Sequence, residues 1–294
     1  VCSIGGWLSA APLPQQEAED LTRALVYYGT NRGSQSAGAW SNGRTVKRAL
    51  LPEKFINIRA FRELMSHPTS MVLTHTRQPT CGGVGDQQAQ PFTHGDTTTV
   101  HNGHVSNIEQ MIEKHGLEKA SGVDSELFTS FIEKHGILNS PAFFAEMTGS
   151  AAVAAVHKGE LYLVRTSNPV EYINITTANG TKLLAFASTE GQLINSLRHI
   201  YLLPMFLRTI TLPVDSLVKC SPTGVEQVAD IPSRYKYYGG TGSSSGGYST
   251  VLPASRNWGG RQSSRWDPAK KCLVDVKTCE PIGGDIQDRL WGSD

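Results

Sequence analysis

No apolar run in this sequence approaches the roughly 18 to 20 residues that a membrane-spanning helix needs. The opening VCSIGGWLSAAPLP also lacks the basic n-region and long apolar h-region of a secretory signal. Net charge is nearly absent, because 27 Lys plus Arg stand against 26 Asp plus Glu. No global field therefore points to nucleic acid or to an anionic membrane. Cysteine is scarce and odd in number, with five residues at Cys2, Cys81, Cys220, Cys272 and Cys279. That is a poor disulfide framework, and at least one thiol is expected to be a free working or buried group. These absences predict a cytoplasmic globular protein with no membrane partner and disfavour a nucleic-acid one, to be sought only in a local basic patch. What is present, 39% hydrophobic residues over 294 positions, is enough to close a proper core in one large domain or two modest ones.

Strand-like and helix-like segments alternate from residue 2 to about 220, which predicts one mixed α/β domain. Glu17 to Tyr28 puts Ala18, Leu21, Leu25 and Tyr28 on one helical face, and Gly29 follows where a helix end favours a left-handed residue. Ser106 and Glu109 have capping-box spacing ahead of Ile108, Met111 and Ile112. A further helix is expected from about Ser125. Both of these helices end in Lys-His-Gly, and the repeated IEKHG is read as helix C-terminal chemistry in preference to a metal site. Ala151 to Val156 and Glu160 to Arg165 flank His157-Lys158-Gly159 as a hairpin. Strands are also expected at Met71 to Arg77, Thr98 to His101, Lys182 to Ser188 and Arg208 to Leu212. After Cys220, YYGGTGSSSGGYS has linker composition, so 221–294 is expected to be a Gly/Ser-rich linker and docking tail. Arg234, Tyr235, Lys236, Tyr237 and Tyr238, with Arg256, Trp258, Arg261, Arg265 and Trp266, interleave basic and aromatic groups as single-stranded nucleic-acid binders do. At this net charge a linker that docks on a protein neighbour is preferred. Cys272 and Cys279, seven apart with no histidine nearby, do not have zinc-site spacing.

Four separated segments carry residue types that cleavage of a side-chain amide requires. Cys2 precedes a strand, where it is either a small buried residue or a nucleophile whose own α-amino group serves as base. Arg77, at a strand end in LTHTRQPTCG, can clamp a carboxylate through two parallel hydrogen bonds or form an ordinary ion pair. Asn102-Gly103 is either a turn dipeptide or a pair of oxyanion donors. Asp124, opening the helix at Ser125, is an N-cap, the partner of a substrate ammonium, or both.

These segments resemble the class II glutamine amidotransferases, in family order: Cys2, Asn31-Arg32-Gly33-Ser34-Gln35-Ser36-Ala37-Gly38, THTRQPTCG, Gln88-Ala89-Gln90-Pro91-Phe92, VHNG and Val123-Asp124-Ser125-Glu126. The resemblance covers about the first 220 residues and is similar to the short standalone members of the family. It implies an α+β fold, a four-layer αββα sandwich of the N-terminal-nucleophile hydrolase type, followed by an irregular C-terminal tail. It also implies that Cys2 is the nucleophile, that Arg77 holds the glutamine α-carboxylate and Asp124 its α-amino group, and that Asn102 with the Gly103 N–H receives the oxyanion. Arg32 braces the site, and Gln78 belongs to the substrate-binding set. Gln78 stands where relatives carry Trp, and Cys81 where they carry His. Val1 precedes Cys2. It is read as a GTG start translated literally, with the first residue removed so that Cys2 becomes the N-terminus; a retained residue there would leave an impaired site.

The activity so implied is hydrolysis of the glutamine side-chain amide through a Cys2 thioester, with no cofactor and no metal. Ammonia would pass to a separate acceptor enzyme or assembly neighbour reached through the tail, and the chain leaves room for a homo-oligomer. The alternative, from another functional class, is an impaired amidotransferase fold reused as a structural or interaction module in a larger assembly such as a phage.

Overall fold

The computed structural model describes residues 2–78, 83–232, 264–267 and 272–275, which form two compact units, Val1–Ser233 and Arg234–Asp294. In the first unit, β1 (Ser3–Ser9) leads to α1 (Gln15–Gly29), β2 (Ser36–Ser41), β3 (Arg44–Arg48), α2 (Pro52–Phe55), α3 (Arg59–Met65) and β4 (Met71–Arg77). Next come β5 (Phe92–His94), β6 (Thr97–Val105), α4 (Ile108–His115), α5 (Glu126–His135) and α6 (Ser140–Glu146). The unit continues through β7 (Gly149–His157), β8 (Glu160–Arg165), β9 (Glu171–Thr176), β10 (Lys182–Ala187) and α7 (Glu190–Ile200), and closes with β11 (Ile210–Thr211), β12 (Ser216–Ser221) and β13 (Gly224–Asp230).

Two antiparallel sheets stack between helices, in the α+β arrangement that the motifs imply. The first has order β11-β9-β10-β1-β4-β2-β3 and the second β13-β12-β8-β7-β6-β5. Strand alternation assigns the faces. Ile4, Leu73, Leu184 and Phe186 of the first sheet meet Val100, Ala152, Ala154, Leu163 and Val218 of the second in an inner apolar layer. On the far side of β1, Trp7 donates from Nε1 to Thr22 Oγ1 of α1 at 3.1 Å. Gln192 of α7 joins that helix layer to the sheet, accepting from Ser3 Oγ at 2.6 Å and donating to the Leu25 carbonyl at 3.0 Å. Across the second sheet, Ala151, Val153 and Ala155 pack against Phe128, Phe143 and Phe144 of α5 and α6.

Local signals explain several elements. Lys158 and Gly159 take positive φ of 51° and 79° in the turn between β7 and β8, the mirror-image turn that suits strand twist. Gly116 ends α4 in the left-handed region at φ 58°, where the Lys-His-Gly pattern places the helix end, and Lys134 donates to the His115 and Gly116 carbonyls there. Gly29 differs from expectation. It is helical, with Thr30 as the C-cap, and a Cβ there would lie 3.0 Å from Thr76 Oγ1; close approach of α1 to β4 requires the glycine. The capping box expected at Ser106 is not formed either. Asn107 is the N-cap, while Ser106 Oγ donates to the Thr148 carbonyl.

The first unit runs past residue 220. Cys220 pairs with Val225 and Leu217 with Ala229 in the β12–β13 hairpin, and Ile231 is buried under it. In GVEQVAD the apolar positions are spread too thinly for a clear strand pattern, so composition places the boundary early. In the second unit β14 (Ser264–Asp267) pairs antiparallel with β15 (Cys272–Asp275). The other expectations for the tail, including Cys279, fall outside the described residues. Among the described residues no helix is long and apolar enough to cross a membrane.

A chain ending at Ser233 is expected to unfold in one cooperative transition close to that of the full chain. Ending it at Cys220 removes β13 and Ile231, a loss of about 2 to 4 kcal/mol that lowers the melting temperature by at least about 5 °C. Equal melting temperatures for the two truncations would show that β13 contributes nothing to the core.

Candidate active site

Cys2 is buried and immediately precedes β1, the strand bordered by β10 and β4. Ser3 pairs with Thr76, so one residue further out Cys2 comes opposite Arg77. Alternation turns Cys2 and Ile4 inward on β1, and Leu73, His75 and Arg77 inward on β4. Cys2 Sγ points at the Gln78 carbonyl at 3.6 Å, and Arg32 Nε donates to the Cys2 carbonyl at 3.0 Å. Burial pushes the Cys2 thiol above its ordinary value of 9.0, with a smaller opposing effect from the Gln78 backbone. A thiol in this position needs a base to become a thiolate. Arg77 is buried and donates from Nη1 to the Gly83 carbonyl at 2.9 Å. The glycines around Arg32 have a steric origin. A Cβ on Gly33 would lie 2.6 Å from the Thr76 carbonyl oxygen, and one on Gly38 2.0 Å from that of Gln90.

Asn102-Gly103 is not a turn. Both residues lie within β6, with Asn102 opposite Ala152 and Gly103 opposite Ala151. Asn-Gly turns do occur elsewhere among the described residues, at Asn42-Gly43 between β2 and β3, where φ is 50° and 73°, and at Asn179-Gly180 between β9 and β10. In β6 the glycine is needed for space, since a Cβ would fall 2.0 Å from the Ser150 carbonyl oxygen. Asn102 turns inward like Val100, its side chain is buried, and its Nδ2 has no hydrogen-bond partner. Leaving a buried donor unpaired costs about 1 to 3 kcal/mol, so such a group calls for a functional reason.

Asp124 is buried and takes no capping role. Ser125 is the N-cap of α5, without a side-chain cap bond. The Asp124 carboxylate instead accepts from the Val105 amide at 2.9 Å and from Ser125 Oγ at 3.3 Å, with His104 Nδ1 3.8 Å away. Sequence reasoning missed the polar residues behind it. Gln90 Oε1 accepts from the His101 amide at 2.6 Å, while its Nε2 donates to the His101 carbonyl at 3.2 Å and to Ser125 Oγ at 3.0 Å. His101 Nδ1 lies 2.9 Å from Ser125 Oγ. His75 Nε2 reaches the same His101 carbonyl at 3.1 Å, which makes Nε2 the protonated nitrogen. Asn168 Nδ2 donates to the Asn102 carbonyl at 2.8 Å. The motif strings contain His75, Gln90 and His101, but their contacts span strands and loops that no local pattern links. Asn168 has no signal at all.

Residues 77–195 match the glutamine amidotransferase domain family. Over this segment the chain carries a glutamine amidotransferase domain. The matched segment includes Arg77, Gln78, Asn102, Gly103 and Asp124, and begins after Cys2 and Arg32. Among curated proteins, the domain is similar to the isomerizing glutamine–fructose-6-phosphate aminotransferases of Acinetobacter baylyi, 28% identical over 183 residues, and Caulobacter vibrioides, 30% identical over 177. These alignments cover 58% and 56% of this chain, but the chain spans only 29% and 28% of those relatives' length. Among solved structures, the Bacillus subtilis glutamine phosphoribosylpyrophosphate amidotransferase superposes with a TM-score of 0.56 at 16% identity, over 77% of this chain and 48% of that one. The allosteric regulatory enzyme of purine biosynthesis superposes with a TM-score of 0.56 at 17% identity and the same coverage. At these identities the superpositions establish the fold of the amidotransferase domain. Cys81 falls outside the described residues. Among the described residues, no group of three or more His, Cys, Asp or Glu could hold a metal.

Burial holds His75 neutral down to about pH 3, and the neighbouring His101, Arg77 and Lys47 push the same way against its bond to the His101 carbonyl. The unfolded chain binds this proton at about 6.5, so between those values it takes up more protons than the folded domain. Stability therefore falls as pH is lowered from about 6.5 toward 3. His101, also pushed down by burial, acts in the same sense. His75→Gln is expected to flatten the dependence of denaturant midpoint on pH in this window. An unchanged slope would assign the acid sensitivity to other groups.

Proposed function

We propose that this domain hydrolyses the side-chain amide of glutamine, with Cys2 as the nucleophile. The observation that carries the reading is the buried, unpartnered amide of Asn102, a hydrogen-bond donor facing the layer into which Cys2 and Arg77 also turn. Once Cys2 is the first residue, its α-amino group takes the thiol proton and the thiolate attacks the amide carbon. This base answers the need created by burial, which raises the thiol. The developing oxyanion is received by Asn102 Nδ2 and the Gly103 N–H, a preorganised pair that does not reorient during the reaction. The ammonium of Cys2 then protonates the departing nitrogen, ammonia leaves, and a thioester remains. Water, deprotonated by the same amine, hydrolyses the thioester to glutamate and frees the thiol.

Arg77 clamps the α-carboxylate through parallel N–H bonds, and Asp124, already oriented by Val105 and Ser125, accepts from the α-ammonium. Arg32, bonded to the Cys2 carbonyl, holds the start of β1 in place. Gln78 bounds the site through the carbonyl that Cys2 faces. By name, the two curated relatives transfer the amino group of glutamine to fructose 6-phosphate. Arg234–Asp294 is too short to form such an acceptor domain, so the ammonia acceptor lies outside these residues.

With Cys2 exposed as the N-terminus, the domain is expected to release glutamate and ammonia from glutamine and to be labelled at Cys2 by a glutamine-like diazoketone. Cys2→Ala should abolish both. Arg77→Ala and Asp124→Ala should mainly raise KM, whereas Asn102→Ala should lower kcat by about 100- to 1,000-fold. Because it removes an unpaired buried donor, Asn102→Ala should leave the melting temperature unchanged or higher. Labelling at Cys220 with Cys2 untouched, or a loss confined to KM in Asn102→Ala, would refute these roles.

A further inference from the structure

The oxyanion pocket depends on two peptide planes. The peptide joining His101 to Asn102 sets the direction of the Asn102 side chain, and the peptide joining Asn102 to Gly103 carries the Gly103 N–H. Each has its carbonyl held by a side chain from outside the second sheet's own ladder. His75 Nε2 donates to the His101 carbonyl at 3.1 Å, and Asn168 Nδ2 donates to the Asn102 carbonyl at 2.8 Å. We propose that His75 and Asn168 are positioning residues that pin these two peptides and thereby fix the oxyanion donors relative to Cys2.

Cys2 belongs to the first sheet, Asn102 and Gly103 to the second. Around the site the sheets meet through Ile4, Leu73, Val100 and Ala152, apolar contacts that hold the sheets together without fixing their lateral offset. The bond from His75 is directional and crosses from β4 to β6 two residues from Arg77. Two other described cross-sheet side-chain bonds, Thr45 to Thr93 and Asn174 to the Pro222 carbonyl, lie at the margins. His75 Nδ1 has no partner, so the ring is buried for the sake of its one Nε2–H bond. Asn168 is half-buried on the loop after β8 and makes a second bond, to Ser150 Oγ at 3.2 Å, which fixes its own amide. Its donation to the Asn102 carbonyl also polarises the peptide that bears the Gly103 N–H, making that N–H a better donor.

The inference rests on the glutaminase reading, and a double-mutant analysis tests it. Asn168→Ala and His75→Asn, whose shorter side chain cannot reach across, should each lower kcat about tenfold with KM for glutamine changed less than about twofold. His75→Gln, which restores an N–H at similar reach, should recover most of the loss. In an Asn102→Ala background, where half the pocket is already gone, Asn168→Ala and His75→Asn should each cost less than about half as much, in logarithmic terms, as in the unaltered domain. Full additivity, or losses confined to KM, would overturn the proposal. If the unaltered domain neither turns over glutamine nor is labelled at Cys2, the glutaminase reading fails by itself. The pinning is then read by hydrogen exchange. Asn168→Ala should speed exchange of the Asn102 and Gly103 amides about tenfold while leaving β1 unchanged, and unchanged exchange there would overturn it.

Discussion

The placement of β1 between β10 and β4 is the constraint on which the site depends. Its pairing with β4, Ser3 opposite Thr76, sets a residue at the beginning of the chain beside the last residue of an interior strand. The fit is close. A Cβ on Gly6 would lie 2.3 Å from the Val72 carbonyl oxygen and 2.6 Å from the Phe186 ring, so the second glycine of SIGGWLS lets neighbouring groups close over the strand. On the other face, Trp7 and Ser3 tie β1 to α1 and α7. A strand held from both edges and both faces cannot fray, and the residue preceding it is presented in a fixed direction. A register slip of one residue would turn Cys2 away from the inner layer and bring Ser3 into its place.

The second sheet supplies the complementary half, and that half together with its contact from β4 carries a cost in stability. Asn102 buries an amide with an unpaired donor, and His75 buries an imidazole for one hydrogen bond. Both would be poor choices for packing alone, and the surrounding core offsets them. Phe128, Phe143 and Phe144 with the alanines of β7 form one tightly filled layer, and the inner layer between the sheets forms another. The small residues Ala152 and Ala154 let the sheets approach closely enough for a side chain on β4 to reach the backbone of β6. Packing and polar geometry therefore depend on the same choice of residue.

Much of this was legible in the sequence because its signals are local. Apolar strands such as β4 and β7, the Lys-Gly turn after β7 and the left-handed Gly116 each declare themselves within a few residues. The order of the motifs pointed to the fold. The remainder was hidden for physical reasons. Asn42-Gly43 and Asn102-Gly103 are the same dipeptide, and only the partner strand β7 makes the second one an interior strand position. Gly29 reads as a helix stop, yet it serves a contact with Thr76 that lies 47 residues away in the chain. Strand β13 is too polar to stand out from the Gly/Ser-rich sequence that follows. The bonds of His75, Gln90 and Asn168 to the backbone of β6 are long-range and leave no periodicity to detect.

The central claim is that the two sheets bring a nucleophile from one and oxyanion donors from the other to a single carbon. The most direct measurement is a crystal structure of the domain beginning at Cys2 and treated with the γ-aldehyde analogue of glutamine, which forms a tetrahedral thiohemiacetal. The account predicts a covalent bond to Cys2 Sγ, with the new oxygen about 3 Å from both Asn102 Nδ2 and the Gly103 nitrogen. It also predicts the α-carboxylate on Arg77 and the α-ammonium on Asp124. An adduct on another cysteine, or an oxygen directed away from Asn102 and Gly103, would contradict it.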